Sequence, residues 1–142
     1  MQIQRLCDDD YYMGIAFMSM VRSGYKEVAL YVDVNNIIHI STEGKQNILL
    51  SQEKSFHLDA ALCLLGNFNY SGILYLTYTP CVQTILLLNN SLVKKVVYYE
   101  SETVNTDVEQ LCANTNLIFA KYDGNLYWMK DYMEFLRQSE IL

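Results

Sequence analysis

The chain has 142 residues, 51% of them hydrophobic, with a formal net charge of −6. That length is near the commonest domain size, and so apolar a composition excludes a chain too polar to bury a core. The acidic balance argues against a nucleic-acid partner, which would need clustered Lys and Arg to neutralise phosphates.

One proline and six glycines leave no linker-like stretch, and no repeat or low-complexity tract is visible, so residues 1–142 read as a single domain. The apolar runs fall short of the roughly 18 to 20 residues that span a bilayer. No basic segment precedes an apolar run at Met1, so the expectation is a soluble, cytoplasmic protein without a membrane partner. The four cysteines, Cys7, Cys63, Cys81 and Cys112, have no CxxC spacing and are expected to be reduced and mostly buried.

Taken in chain order, Met13, Ala16, Phe17, Met20 and Val21 recur at helical spacing behind the acidic start Asp8 to Asp10, which predicts a first helix. Residues 28–34 and 37–40 are apolar, β-rich runs around Asn35-Asn36 and read as a hairpin. His39 falls in the second run and is read as structural. A second helix is predicted over 57–65, a third strand over 73–78, and a third helix over 81–89. A fourth strand over 93–99, a fourth helix over 104–113, a fifth strand over 117–120 and a closing helix over 128–138 complete the pattern. A hairpin followed by β-α-β-α-β crossovers makes a mixed sheet layered by helices.

Two short segments carry the chemistry. His57-Leu58-Asp59 heads the predicted second helix, and Pro80-Cys81-Val82-Gln83-Thr84 heads the third. They resemble the H-x-E and P-C-x-x-C signature of zinc-dependent nucleobase deaminases, with Asp59 in place of the glutamate and Thr84 in place of the second cysteine. The flanking residues are similar to those of the deoxycytidylate (dCMP) deaminase family. Ile73 to Thr79 runs into the Pro-Cys, and Lys94-Lys95-Val96-Val97-Tyr98 resembles the family's next strand. Asp10 to Ser23 resembles its first helix and Asn125-Leu126-Tyr127-Trp128 its tail.

The resemblance implies a cytidine deaminase-like α/β fold, a three-layer α-β-α arrangement with a mixed five-stranded sheet. It also implies that helices two and three begin side by side, with His57 and Cys81 facing each other at the old metal site. Both departures from the pattern bear on the reaction. A catalytic zinc site keeps three protein ligands and an open position for the water it acidifies. Here His57 and Cys81 are the surviving ligands, because a threonine hydroxyl replaces a thiolate poorly. In the family the glutamate carries a proton between the metal-bound water and the base. Aspartate is about 1.5 Å shorter, and catalysis is sensitive to misplacement on that scale. His57, Asp59, Cys81 and Thr84 are therefore read as vestigial, with no metal and no cofactor expected. Cys63 cannot rescue the site, since on a helix begun at His57 it would point away.

The nucleotide-binding residues are also missing. Where the family has Pro-Asn-Thr-Gln-Val-Gly-like and Gly-Tyr-Asn-Gly-like stretches, this chain has Gly24-Tyr25-Lys26-Glu27-Val28-Ala29 and Ser41-Thr42-Glu43-Gly44. Glu43 would set a negative charge where a phosphate should approach. Between Gly44 and His57 there is no Cys or further His for the second, structural zinc of many relatives.

The reading favoured is a catalytically inactive deaminase-like protein acting through a protein partner or a homo-oligomer. Its alternatives are a divergent zinc-dependent dCMP or cytidine deaminase, and a nucleotide-binding sensor without turnover. Twelve tyrosines suit a contact surface, since Tyr buries area while keeping a polar tip wet. Tyr98-Tyr99 and Tyr127-Trp128 are read first as sheet or core packing and second as such a surface.

Overall fold

In the computed structural model, which describes residues 7–47, 55–64, 66 and 68–124, strand β1 (Val28–Asp33) is buried along its whole length. Burial of every residue, on both sides of the pleat, is what a strand between two helical layers requires. β1 pairs antiparallel with β2 (Ile38–Thr42) on one side and with β5 (Gly72–Leu76) on the other. Parallel strands β6 (Val93–Tyr98) and β7 (Ile118–Lys121) follow, so the five-stranded mixed sheet has the order β2-β1-β5-β6-β7.

The alternation along β1 divides the core. Val28, Leu30 and Val32 face helix α1 (Asp8–Ser23), where Met13, Ala16 and Phe17 join them with Tyr75, Val97 and Tyr122. Ala29 and Tyr31 face the opposite layer, which contains Ala60 and Ala61 of α2 (Ala60–Cys63) and Leu88 of α3 (Val82–Asn89). Helix α4 (Thr106–Ala113) packs beside α3. Leu74 is fully buried in this second cluster, and truncating such a side chain to alanine costs about 2–5 kcal/mol.

Two glycines answer to specific constraints. Gly24 ends α1 at φ 78° and returns its N–H to the Met20 carbonyl at 3.0 Å. Gly72 opens β5 so close to β1 that a Cβ there would collide with the Val32 carbonyl. The β1–β2 turn is held by Asp33, whose Oδ1 accepts from the N–H groups of Asn35 at 2.8 Å and Ile37 at 3.1 Å. Within that turn Asn36, and not Asn35, takes a left-handed φ, 61°. His39 on β2 has the structural setting expected of it, its Nε2 3.4 Å from Asp33 Oδ2 and its ring beside Tyr31.

Three expectations need correction. Residues 57–65 are not one helix: Ser55–Leu58 is a strand, β4, paired antiparallel with β3 (Gly44–Asn47), and α2 begins only at Ala60. Asp59 sets that boundary, with an extended backbone (φ −55°, ψ 141°) and a side chain that caps the helix from outside. His57 therefore precedes the helix, on a different element from Cys63, which ends α2. The cysteines are free thiols, as expected, but Cys7, Cys63 and Cys81 are exposed and Cys112 half-buried. The closing helix over 128–138 and the Tyr127-Trp128 pair lie outside the described residues. Among those described, no helix is long and apolar enough to cross a membrane.

Candidate functional site

Pro80 lies four residues beyond the end of β5, and Cys81, in extended conformation, caps α3. The Cys81 side chain makes no bond to the helix backbone and lies instead 3.3 Å (Sγ to Oγ1) from Thr84. Thr84 is fully buried. Its hydroxyl donates to Asp59 Oδ2 at 2.9 Å, joining the first turn of α3 to the start of α2.

Asp59 is the hub of this cluster. Its Oδ1 accepts from the Ala61 N–H at 2.8 Å, the N-cap bond of α2, and also from the Tyr78 hydroxyl. The same N–H reaches the Tyr78 oxygen at 3.1 Å, so it is shared between the two acceptors. Asp59 is buried, and a buried carboxylate is tolerated only where donors replace its lost water. Hydrogen bonds to a charged acceptor contribute about 1.5–3 kcal/mol each. The end of β5, the cap of α2 and the first turn of α3 thus meet on one carboxylate.

Next to this cluster lies an open cleft of about 340 Å³, lined by Thr79, Pro80, Cys81, Gln83, Glu102 and Asn105 among others. Thr79 shapes its rim: its Oγ1 accepts from the N–H groups of Ser101 at 3.0 Å and Glu102 at 3.2 Å and donates to the Glu102 carbonyl at 3.0 Å. Asn105 caps α4 with a bond from the Asp107 N–H at 2.8 Å. At the far end of β2, Glu43 Oε1 accepts from the Lys26 N–H at 3.1 Å, so this carboxylate is tied to the Gly24–Ala29 stretch.

Three of the four residues singled out from the sequence, Asp59, Cys81 and Thr84, are brought together. His57 has its backbone on β4, opposite Lys45, and its side chain lies outside the described part of the structure. Tyr78 was not foreseen as a member. Nothing in a strand-terminal tyrosine announces that its hydroxyl will reach the cap of a helix 19 residues earlier.

Among the described side chains, the donor set does not fit a catalytic zinc ion. Such an ion needs three protein ligands, and the third position is a hydroxyl that donates its proton to a carboxylate. Among the described residues no three of His, Cys, Asp and Glu are grouped to hold a metal. A carboxylate that caps a helix and receives two hydroxyls is also poorly free to shuttle protons.

No protein-family model matches this sequence, and no curated protein does. Among solved structures, the chain is similar to the dCMP deaminase of cyanophage S-TIM5 in complex with dCMP and dUMP. The TM-score is 0.62 and the identity 21%, covering 83% of this chain and 100% of that one. The apo form of the same enzyme gives a TM-score of 0.56 at 21% identity over 80% and 96%. NE0047 in complex with 2,6-diaminopurine gives a TM-score of 0.52 at 13% identity, covering 97% of this chain and 84% of that one. With its mixed five-stranded sheet between helical layers, the chain has the cytidine deaminase-like fold these structures share.

Proposed function

We propose that this chain is a degenerate relative of the dCMP deaminases that has lost the zinc-dependent reaction and acts through protein contacts. The observation that carries the reading is the state of Asp59. In place of a glutamate beside a metal-bound water stands a shorter carboxylate that receives the Ala61 N–H, the Tyr78 hydroxyl and the Thr84 hydroxyl. The position that would supply a second thiolate instead supplies one of those donors. The two substitutions are complementary: aspartate at 59 accepts the hydrogen bond that threonine at 84 gives.

Loss of the nucleotide residues agrees with this. Glu43 adds a carboxylate where a phosphate would approach, bonded to the backbone of Lys26. A fold that keeps its layers and strand order while losing metal and substrate groups retains its surfaces as the means of acting.

The test is turnover. The purified chain, with and without added zinc, is incubated with dCMP and with cytidine, and the products dUMP and uridine are measured by chromatography. The expected result is no product above the uncatalysed background in any sample. Product formation that zinc increases would contradict the proposal and favour a divergent deaminase.

A further inference from the structure

We propose that the outer edge of β2, which no strand pairs among the described residues, is a self-pairing surface, through which a second copy of this chain extends the sheet across a twofold axis. This rests on the reading of the chain as a protein that works by contact, and it names the surface and the partner.

The strand order leaves β2 at one edge of the five-stranded sheet. The bonds from the Asp33 N–H to the Ile37 carbonyl and from the Glu43 N–H to the Glu27 carbonyl fix which backbone groups turn inward. By antiparallel alternation, Ile37, His39, Ser41 and Glu43 bond to β1, and the N–H and C=O groups of Ile38, Ile40 and Thr42 point outward. The outward-pointing groups thus recur every second residue along the strand. Paired antiparallel about Ile40, such an edge is its own complement: Ile40 meets Ile40, and Ile38 meets Thr42 of the second copy.

The side chains suit that occupant. Ile38 and Ile40 stand on the α1 face of the edge at 38% and 44% exposure, costly in water for β-branched apolar groups and favourable as cross-strand pairs. Exposed edges are ordinarily protected by Lys, Pro or a bulge. From Val34 to Thr42 this one has no Pro, Asp, Glu, Lys or Arg, and its register with β1 is unbroken. In a chain of net charge −6, an uncharged strip is where two copies approach without like-charge repulsion. The flanking carboxylates are turned onto their own chain, Asp33 to Asn35 and Ile37, Glu43 to Lys26. The opposite edge differs: β7 is four residues long and carries Lys121, paired with Glu100 at 2.5 Å.

The experiment is sedimentation velocity across a range of protein concentrations on the wild-type chain, Ile40→Lys, Ile38→Lys and Ile118→Lys. Circular dichroism and thermal midpoints establish that each is folded. Ile118 lies on β7 and is 60% exposed, so its variant removes at least as much exposed apolar surface without touching β2. The expected result is a wild-type dimer, dissociation constants raised at least about tenfold in both β2 variants, and no change in Ile118→Lys. A wild-type monomer throughout, a dimer unaffected by both β2 substitutions, or equal weakening by Ile118→Lys would each overturn the proposal. Zinc content and dCMP turnover are read on the same preparation. An inert, metal-free monomer overturns edge pairing alone, whereas a dimer that turns dCMP over overturns the loss of catalysis and leaves the interface standing.

Discussion

The Thr84 hydroxyl donates to the Asp59 carboxylate across 2.9 Å, binding the first turn of α3 to the cap of α2. The tie is a hydrogen bond between two buried side chains, reinforced by the Tyr78 hydroxyl on the other carboxylate oxygen.

Removing either donor takes one hydrogen bond from a buried carboxylate. Thr84→Val and Tyr78→Phe are each expected to lower unfolding stability by about 1–3 kcal/mol. Because both donors act on one group, their effects should be non-additive by about 0.5 kcal/mol or more. Urea denaturation of the single and double variants measures this. Additive effects, each under about 0.5 kcal/mol, would mean that the cluster contributes little.

Completing the deaminase signature should confer metal binding before activity. Asp59→Glu combined with Thr84→Cys places a second thiol where Oγ1 now lies 3.3 Å from the Cys81 sulfur, and it removes the short carboxylate that holds this position. The double variant, shown to be folded by circular dichroism, is expected to take up zinc that the wild-type chain does not. A folded double variant without zinc would count against the matching of these residues to the deaminase signature.

The acid limb of stability should depend on Asp33. Burial opposes its ionisation, but the N–H groups of Ile37 and Asn35, with His39, outweigh it and hold the carboxyl below its ordinary range. A group depressed in the folded state stabilises fully above its unfolded pKa of about 3.9, and that stability disappears as pH falls through the folded value. Denaturation midpoints from about pH 6 to about pH 2 should fall less steeply for Asp33→Asn than for the wild-type chain. Identical slopes would contradict the assignment.

The alkaline limb should depend on buried tyrosines. Burial, with the charge of Asp33 adding to it, pushes Tyr31 up to about 12. Burial first, and then bonds to Asp9 and Asp10, raise Tyr75 and Tyr122. Stability from these groups is complete below the unfolded tyrosine pKa of about 10. Above it the unfolded chain releases protons that the folded chain keeps, so stability falls. Tyrosinate absorbance followed with circular dichroism should show a subset ionising only as structure is lost. All tyrosines titrating near 10 with native dichroism intact would contradict this.

The layers of the fold were legible because its strands are apolar, β-rich runs and its first helix keeps an apolar stripe. Val28 to Asp33 and Val93 to Tyr98 fall close to where the pattern places them. The β3–β4 ribbon was not legible, since Gly44–Asn47 is polar and lacks alternation. The start of α2 was misplaced for a local reason. The same apolar run suits a helix from His57 or from Ala60, and the choice is made by Asp59 bonding to Ala61. Asp59, Cys81 and Thr84 could be proposed as one cluster from spacing and resemblance. Their bonding to one another, and to Tyr78, could not, because it depends on how β5 and α3 are brought onto α2.

The central claim, that the deaminase metal site has become a hydrogen-bonded cluster, is tested most directly by zinc content. Elemental mass spectrometry on the chain purified without added metal or chelator gives zinc per protein. The account predicts a value well below one. A value near one would contradict it, since a third ligand would then have to exist and Asp59 would have to release its donors.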